Sequence, residues 1–174
     1  MMGGMMGRGM MGDRDQGAPQ VLATLTYSGQ VPPQSLPQQL ISVETLPEPK
    51  TVRQFGLNHG MVPGQGMVFL IYGKSFNPQR IDTEVSLDTI EDWEITNTGV
   101  MDHPFHLHTN PFQVVARNGQ TEPYRVWKDT VLVPTGETVR IRIPFKDYPG
   151  KTVYHCHILD HEELGMMGII EMQA

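Results

Sequence analysis

The sequence predicts an all-β protein, a Greek-key β-sandwich built from short strands. Short segments rich in Val, Ile, Thr and aromatic residues recur along the chain, and turn-forming Gly and Pro, 18 and 14 in number, separate them. No segment carries the apolar period of a long helix. Together these observations favour two packed sheets joined by loops.

Ten strands are predicted in chain order. They span residues 21–27, 51–57, 68–72, 83–87, 92–96, 112–117, 130–133, 138–143, 153–156 and 168–172. The clearest alternation is TVRIRI at 138–143, which places apolar and charged side chains on opposite faces. Residues 31–37 contain three prolines, which cannot donate to a sheet, so a loop is predicted there. Asn118 and Gly119 form a typical hairpin turn after the strand at 112–117.

The chain length of 174 residues indicates one domain, expected over residues 21–174. Before it, residues 1–20 hold six of the 12 methionines in a Gly-rich tract without an apolar face. This composition predicts a flexible segment or linker. The alternative is a Cu(I)-binding segment, because soft thioethers select that ion.

Charge and hydropathy exclude several classes of protein. The net charge of -6 and the pI near 5.6 argue against nucleic-acid binding. No apolar run reaches the roughly 18 residues that a membrane-spanning helix needs. The chain start also lacks the charged and apolar regions of a signal peptide.

One cysteine and six of the seven histidines fall in two short segments. Residues 103–108 read HPFHLH, and residues 155–161 read HCHILDH, with Met166 close behind. A thiolate, imidazoles and a distant thioether are the ligands of a blue-copper electron-transfer site. Cys156 has no disulfide partner in the chain, since it is the only cysteine.

Strand alternation divides these side chains between two sites. If residues 153–157 are extended, His155 and His157 share one face and Cys156 points to the other. The same alternation places the imidazoles of His106 and His108 together, so that two His-x-His pairs can converge. The ligands then left for the thiolate are His103, His161 and Met166.

The pattern His-Pro-x-His-x-His followed by His-Cys-His-x3-His-x4-Met resembles the carboxy-terminal copper signatures of the multicopper oxidases, the laccase-like family. The run HCHILDHEELGMM is especially similar to the bacterial spore-coat laccase and bilirubin oxidase branch, and the resemblance covers residues 57–171. It implies a carboxy-terminal domain of cupredoxin fold. The implied type 1 copper ligands are His103, Cys156, His161 and Met166. The implied ligands of half a trinuclear copper cluster are His106, His108, His155 and His157.

By this resemblance the chain is part of a copper-dependent oxidoreductase. Its type 1 copper would take single electrons from a reducing substrate, either a phenol, a pigment such as bilirubin or a metal ion. Cys156 and its flanking histidines would pass them to the cluster, where dioxygen is reduced to water. Glu162 matches an acidic position implicated in proton delivery in that branch, although an ordinary solvated carboxylate is equally compatible.

The resembling enzymes take further cluster histidines from two His-x-His motifs near their amino terminus, and this sequence contains neither. The expected partners are therefore amino-terminal cupredoxin domains of the same enzyme or of another chain, and a second copy could supply the same number. The resemblance implies a periplasmic, secreted or spore-coat location, with no targeting signal in this chain.

Several alternatives stay open. Imidazoles also suit a structural zinc site. A stand-alone cupredoxin electron carrier, without oxidase activity, would have no use for the cluster histidines. Asp102 could orient an imidazole or form a turn, Met167 is expected to pack, and His59 is left unassigned.

Overall fold

The computed structural model describes residues 21–38, 41–64 and 66–174. These fall into two units, the first with the described residues 21–38 and the second with the described residues from 41 onward. In the first unit, residues 21–38 form neither strand nor helix. The strand predicted at 21–27 is therefore wrong. Its apolar side chains, such as Leu22 and Tyr27, are exposed, and β-propensity alone cannot replace the hydrogen bonds of a neighbouring strand. The linker predicted at residues 1–20 lies outside the described residues.

The second unit is a sandwich of two sheets, with twelve strands and one short helix in its described part. The strands are β1 Thr51–Val62, β2 Gly66–Ile71, β3 Thr83–Ser86, β4 Thr89–Asn97, β5 His103–Leu107, β6 Phe112–Arg117, β7 Gln120–Thr121, β8 Trp127–Lys128, β9 Thr130–Val133, β10 Thr138–Phe145, β11 Gly150–Cys156 and β12 Met167–Gln173. The helix is α1, Leu159–Glu163. Within the described residues, no helix has the length and apolar character needed to cross a membrane.

One sheet has the order β2-β1-β4-β10-β6-β7, with β8 also paired to β6, and the other has the order β3-β12-β11-β5-β9. Pairing is antiparallel except between β1 and β4 and between β12 and β3. The predicted all-β class is confirmed. Three strands were not predicted, β5, β7 and β8; β5 consists of His, Pro, Phe and Leu, so its sequence has little β character.

The core between the sheets is rich in aromatic side chains. Trp93 is fully buried, with its ring centroid 4.4 Å from Phe55, 5.8 Å from Phe145 and 5.6 Å from Tyr154. Burying an aromatic side chain of this kind stabilises a fold by roughly 1.5–3 kcal/mol. Tyr154 lies on β11, so this core holds the strand that carries the metal-binding sequence.

Candidate metal centre

The centre of the site is the thiol of Cys156, the last residue of β11. Strand β11 pairs with β5 so that Cys156 lies opposite Phe105, and Cys156 is only 1% exposed. Strand β5 begins with His103, and α1 brings His161 back to the end of β11. The Cys156 Sγ lies 3.6 Å from His103 Nδ1 and 3.5 Å from His161 Nδ1, and the two nitrogens are 3.1 Å apart.

These three residues fit a copper ion. All three are buried, and their ligand atoms lie within 4.8 Å of one another. Burial lowers the pKa of His103 to about 4 and also lowers the pKa of His161, so both imidazoles are neutral at pH 7 and able to ligate. Burial raises the pKa of the Cys156 thiol to about 11, so its thiolate needs a cation beside it. A soft thiolate with two imidazoles suits copper.

Met166 is hydrogen-bonded through its backbone to two of these three residues. It is fully buried, its carbonyl accepts a hydrogen bond from the Cys156 N–H at 3.0 Å, and its own N–H donates to the His161 carbonyl at 2.9 Å. Gly165 makes this return possible with a φ of 103°, which side chains rarely adopt. The backbone of Met166 is therefore held next to Cys156 and His161.

Phe69 forms an aromatic wall of the site that the sequence pattern did not predict. Its ring stacks on His161 with centroids 3.9 Å apart and meets the His103 ring edge-on at 6.3 Å. Phe69 lies on β2, far from the histidine motifs in sequence, so only the packing of the two sheets identifies it. A stacked ring limits how far the His161 imidazole can turn.

A second group of histidines lies on the other side of β11. His106, His108 and His155 have ligand atoms within 4.8 Å of one another, and the Nε2 atoms of His108 and His155 are 2.9 Å apart. Burial, followed by the proximity of His106, lowers the pKa of His108, which keeps a lone pair available at neutral pH. The ring nitrogens of this group can hold a metal ion.

His157 completes this second group of rings, although it is exposed. Its ring centroid is 5.3 Å from that of His106 and 5.7 Å from that of His155, with the latter pair stacked at 22°. The thiol of Cys156 faces the first group instead. The structure thus places the rings of His106, His108, His155 and His157 near one another and apart from the Cys156 thiol.

Hydrogen bonds at the outer nitrogens orient two of these rings. The His106 Nδ1 lies 3.0 Å from the Asp129 carbonyl oxygen and 2.9 Å from the Thr130 hydroxyl. The His155 Nδ1 lies 3.0 Å from the Cys156 carbonyl oxygen and 3.2 Å from a carboxylate oxygen of Glu162. Protonation of Nδ1 in each ring leaves the Nε2 lone pair for a metal.

The loop before His103 is held by two side chains. The fully buried Asn97 donates from Nδ2 to the carbonyls of Met101 and Val133, at 2.7 and 2.9 Å. Asp102 accepts a hydrogen bond from the Thr135 N–H at 2.8 Å, so its carboxylate ties this loop to the turn after β9. The role of Asn97 was not predicted from the sequence, because buried asparagines that hold loops share no local motif.

A β-sandwich with a buried Cys-His-His group defines a copper-binding protein, and comparison with known proteins identifies its family. A family model described as Multicopper oxidase matches residues 45–173. The chain belongs to the multicopper oxidase family. Members of this family bind copper, which agrees with the donor set around Cys156.

Similar curated proteins are oxidases. The multicopper oxidase mco of Staphylococcus epidermidis is 42% identical over 108 residues, covering 59% of this chain and 24% of that protein. The laccase of Bacillus subtilis is 33% identical over 120 residues, covering 58% and 23%. The bilirubin oxidase of Albifimbria verrucaria is 34% identical over 130 residues, covering 70% and 22%. The chain spans about a quarter of the length of these relatives.

Solved structures agree with the fold. A multicopper oxidase from Campylobacter jejuni, described as a metallo-oxidase, has a TM-score of 0.72 and 34% identity, covering 80% of this chain and 33% of that one. A multicopper oxidase from Pediococcus acidilactici has a TM-score of 0.69 and 40% identity, covering 80% and 30%. The predicted cupredoxin type of sandwich is confirmed.

Proposed function

We propose that this chain supplies the substrate-side copper site and half of the oxygen-reducing cluster of a laccase-like oxidase. The observation that carries the proposal is the position of Cys156 between two groups of histidines. Its thiol faces His103 and His161, and the backbone on either side carries His155 and His157. Adjacent residues of one strand therefore serve two metal sites.

His103, Cys156, His161 and Met166 are assigned to the type 1 site. Copper bound there would supply one-electron redox chemistry, and the thioether of Met166 would be a weak ligand that tunes its potential. His103 and His161 bind through Nδ1, the nitrogens that point at the thiol. Phe69 stacks on His161 and would hold this imidazole in place when copper binds.

Cys156 and its neighbours provide a short route from this site to the second group. The Cys156 carbonyl oxygen lies 3.0 Å from the His155 Nδ1, and covalent bonds join Cys156 directly to both flanking histidines. In the assembled enzyme, the backbone and this hydrogen bond would connect the type 1 site to the second group.

His106, His108, His155 and His157 are assigned to half of the trinuclear cluster. The remaining histidines would come from amino-terminal cupredoxin domains of the same enzyme or of another chain. Self-association is a weaker possibility, because it requires a face that pairs with itself. The completed cluster would use four electrons and four protons to reduce one dioxygen to two water molecules.

Glu162 is assigned to proton delivery. Its carboxylate lies 3.2 Å from the His155 Nδ1, and its side chain is 34% exposed, so it can exchange protons with solvent while it contacts a cluster imidazole. In the assembled oxidase, Glu162→Gln should keep the copper content and the blue colour and slow dioxygen reduction. An unchanged rate would remove Glu162 from the mechanism.

The reducing substrate is proposed by class as a phenol, a pigment or a metal ion. The relatives named laccase and bilirubin oxidase and the structure described as a metallo-oxidase support this range. A location outside the cytoplasm, whether periplasmic, secreted or on a spore coat, follows the resemblance to the exported oxidases of this branch.

The proposal is tested on the purified full chain, loaded with copper. We expect a blue absorption band at about 600 nm, from thiolate-to-copper charge transfer. Cys156→Ser should abolish the band, whereas His106→Gln should leave it intact because His106 belongs to the second group. A colourless wild-type chain would rule out the type 1 site.

Copper stoichiometry and dioxygen uptake separate the oxidase from its alternatives. The chain by itself should show the blue copper without appreciable dioxygen uptake, and uptake should appear when the missing domains complete the cluster. Blue copper without uptake in that assembly would favour a stand-alone electron carrier. Robust uptake by the purified chain would point to self-assembly.

A further inference from the structure

His59 lies next to the proposed type 1 site, although it is outside both histidine motifs. It is on β1, opposite Phe69 of β2, with the two ring centroids 6.3 Å apart. Its Nδ1 is buried and has no hydrogen-bond partner among the described residues. A buried nitrogen without a partner is destabilising, so this position needs a polar neighbour.

The Nε2 of His103 is in the same situation. His103 is fully buried, and this nitrogen also has no partner within the part of the chain that the structure describes. Its other nitrogen, Nδ1, faces the thiol of Cys156. When Nδ1 ligates a metal, Nε2 carries the proton and acts as a donor.

Gly99 brings these two nitrogens to one place. A Cβ on Gly99 would lie 3.5 Å from His103 Nε2, 3.6 Å from His59 Nδ1 and 3.2 Å from Asn97 Oδ1. Three polar atoms from three separate strands or loops therefore converge in front of the Gly99 Cα, where the glycine leaves room. We call the space between these atoms the Gly99 cradle.

The orientation of the Asn97 amide is determined by its other contacts. Its Nδ2 donates to the carbonyls of Met101 and Val133, so Oδ1 must face the cradle. That oxygen already accepts the Gly99 N–H at 2.9 Å and keeps a second lone pair. The cradle thus offers one donor, His103 Nε2–H, and two acceptors, Asn97 Oδ1 and His59 Nδ1.

We propose that His59 is a positioning residue that acts on His103 through one water molecule bound in the Gly99 cradle. The water accepts from His103 Nε2–H and donates to Asn97 Oδ1 and His59 Nδ1. Three polar partners match the usual number for a buried water. This inference rests on the proposed function, because it takes His103 as a copper ligand.

The bridge fixes the plane of the His103 ring and makes it a better electron donor. A hydrogen bond from the outer N–H of a ligating imidazole raises the basicity of the ligand. A more basic ligand stabilises Cu(II) over Cu(I), so the bridge lowers the type 1 potential. His59 of β1 would therefore influence the type 1 potential through His103.

The experiment compares His59→Phe with His59→Asn in the copper-loaded full chain. Phe fills the space without a polar atom, whereas the Asn Oδ1 falls near the position of the His Nδ1. Redox titration followed at the blue band should show a higher potential for His59→Phe and a potential near wild type for His59→Asn. If His59 only packs against its neighbours, both variants should change the potential by the same amount, and that result would overturn the proposal.

Gly99→Ala tests the same water from the other side. Its methyl group would occupy the cradle and should raise the potential in the same direction as His59→Phe. The double variant, His59→Phe with Gly99→Ala, should shift the potential no further than either single variant, because both substitutions remove the same water. Gly60→Ala, whose Cβ meets only Leu70 and Val68 at 3.5 and 3.9 Å, is the control and should leave the potential unchanged.

A high-resolution crystal structure of the wild-type chain should place a water within hydrogen-bond distance of all three atoms. Its absence there, or additive shifts in the double variant, would contradict the inference. Loss of the blue band in wild type would instead contradict the proposed function. Blue variants with unchanged potentials would contradict only the role of His59.

Discussion

At the scale of single residues, Cys156 shows how one strand separates two groups of histidines. Its thiol is buried beside His103 and His161, while His155 and His157 carry their imidazoles to the other group. The separation depends on the alternation of an extended chain, which any sequence obeys once the segment is paired. The raised pKa of the thiol, near 11, means that this environment favours the thiolate only with a bound cation.

Met166 is the residue through which the potential of the type 1 site is best tested. We expect Met166→Leu to raise the potential, because removing a weak thioether donor disfavours Cu(II). Redox titration of the blue band measures the change. Met167→Leu is the matched control, since Met167 is on β12 opposite His155 and is only partly buried. Equal potentials for wild type and Met166→Leu would exclude Met166 as the axial ligand.

At the scale of elements, the close packing of β11 against β12 holds the strand that bears Cys156. Tyr154 of β11 pairs with Gly168 of β12, and the tyrosine ring lies across the glycine. A larger residue at Gly168 would push the ring away. This contact explains why a glycine occupies the middle of a strand, where it otherwise reduces stability.

We expect Gly168→Ala to lower the free energy of unfolding by about 1–3 kcal/mol, the usual cost of overpacking a core. Its Cβ would overlap the Tyr154 ring. Chemical denaturation of the metal-free chain measures the effect. Gly56→Ala on β1 is the control, because no described atom lies within 4 Å of its Cβ, and it should change stability little.

Strands β4 and β10 are joined by a buried ion pair. Arg142 donates to Asp92 at 2.7 and 3.0 Å, and their side chains are 10% and 1% exposed. We expect Arg142→Ala to cost about 3–5 kcal/mol, because it leaves a buried carboxylate unpaired. Arg117→Ala removes a more exposed pair with Glu122 and should cost less than about 1 kcal/mol in the same denaturation assay. Similar losses would show that burial of the pair is not decisive.

At the scale of the whole molecule, the buried imidazoles make the metal-free fold sensitive to acid. The pKa of His103 is about 4 in the folded chain, against about 6.5 when it is unfolded. Below pH 6.5 the unfolded chain takes up a proton that the folded chain does not. Stability is therefore fully present above pH 6.5 and is lost as the pH falls toward 4.

We expect this loss to be on the order of 3 kcal/mol for His103 between pH 7 and pH 4. Denaturation of the metal-free chain across this range measures it. The variant His103→Gln should lose less stability over the same interval, because it has no imidazole to protonate. Parallel pH profiles for the two chains would contradict the assignment of this acid sensitivity to His103.

Most strands follow from local sequence. The TVRIRI pattern predicted β10 from its alternation, and the hairpin at Asn118 and Gly119 forms with positive φ at both residues, 48° and 77°. Strand β5 was not predicted, because its histidines and Pro104 give its sequence little β character. The segment at 21–27 is the opposite case. It has strand-forming residues but forms no strand, because no other strand lies beside it in the described part of its unit.

The sequence by itself determined the chemistry of this protein: a lone cysteine, two His-x-His pairs and a methionine at spacings that only a few metal sites use. These are properties of side-chain types and strand alternation, which are local. Only the tertiary structure decided which side chains lie near one another: Phe69 stacks on His161, Asn97 holds the loop before His103, and His59 lies near His103. Those contacts depend on the pairing and packing of strands distant in sequence, which local patterns do not encode.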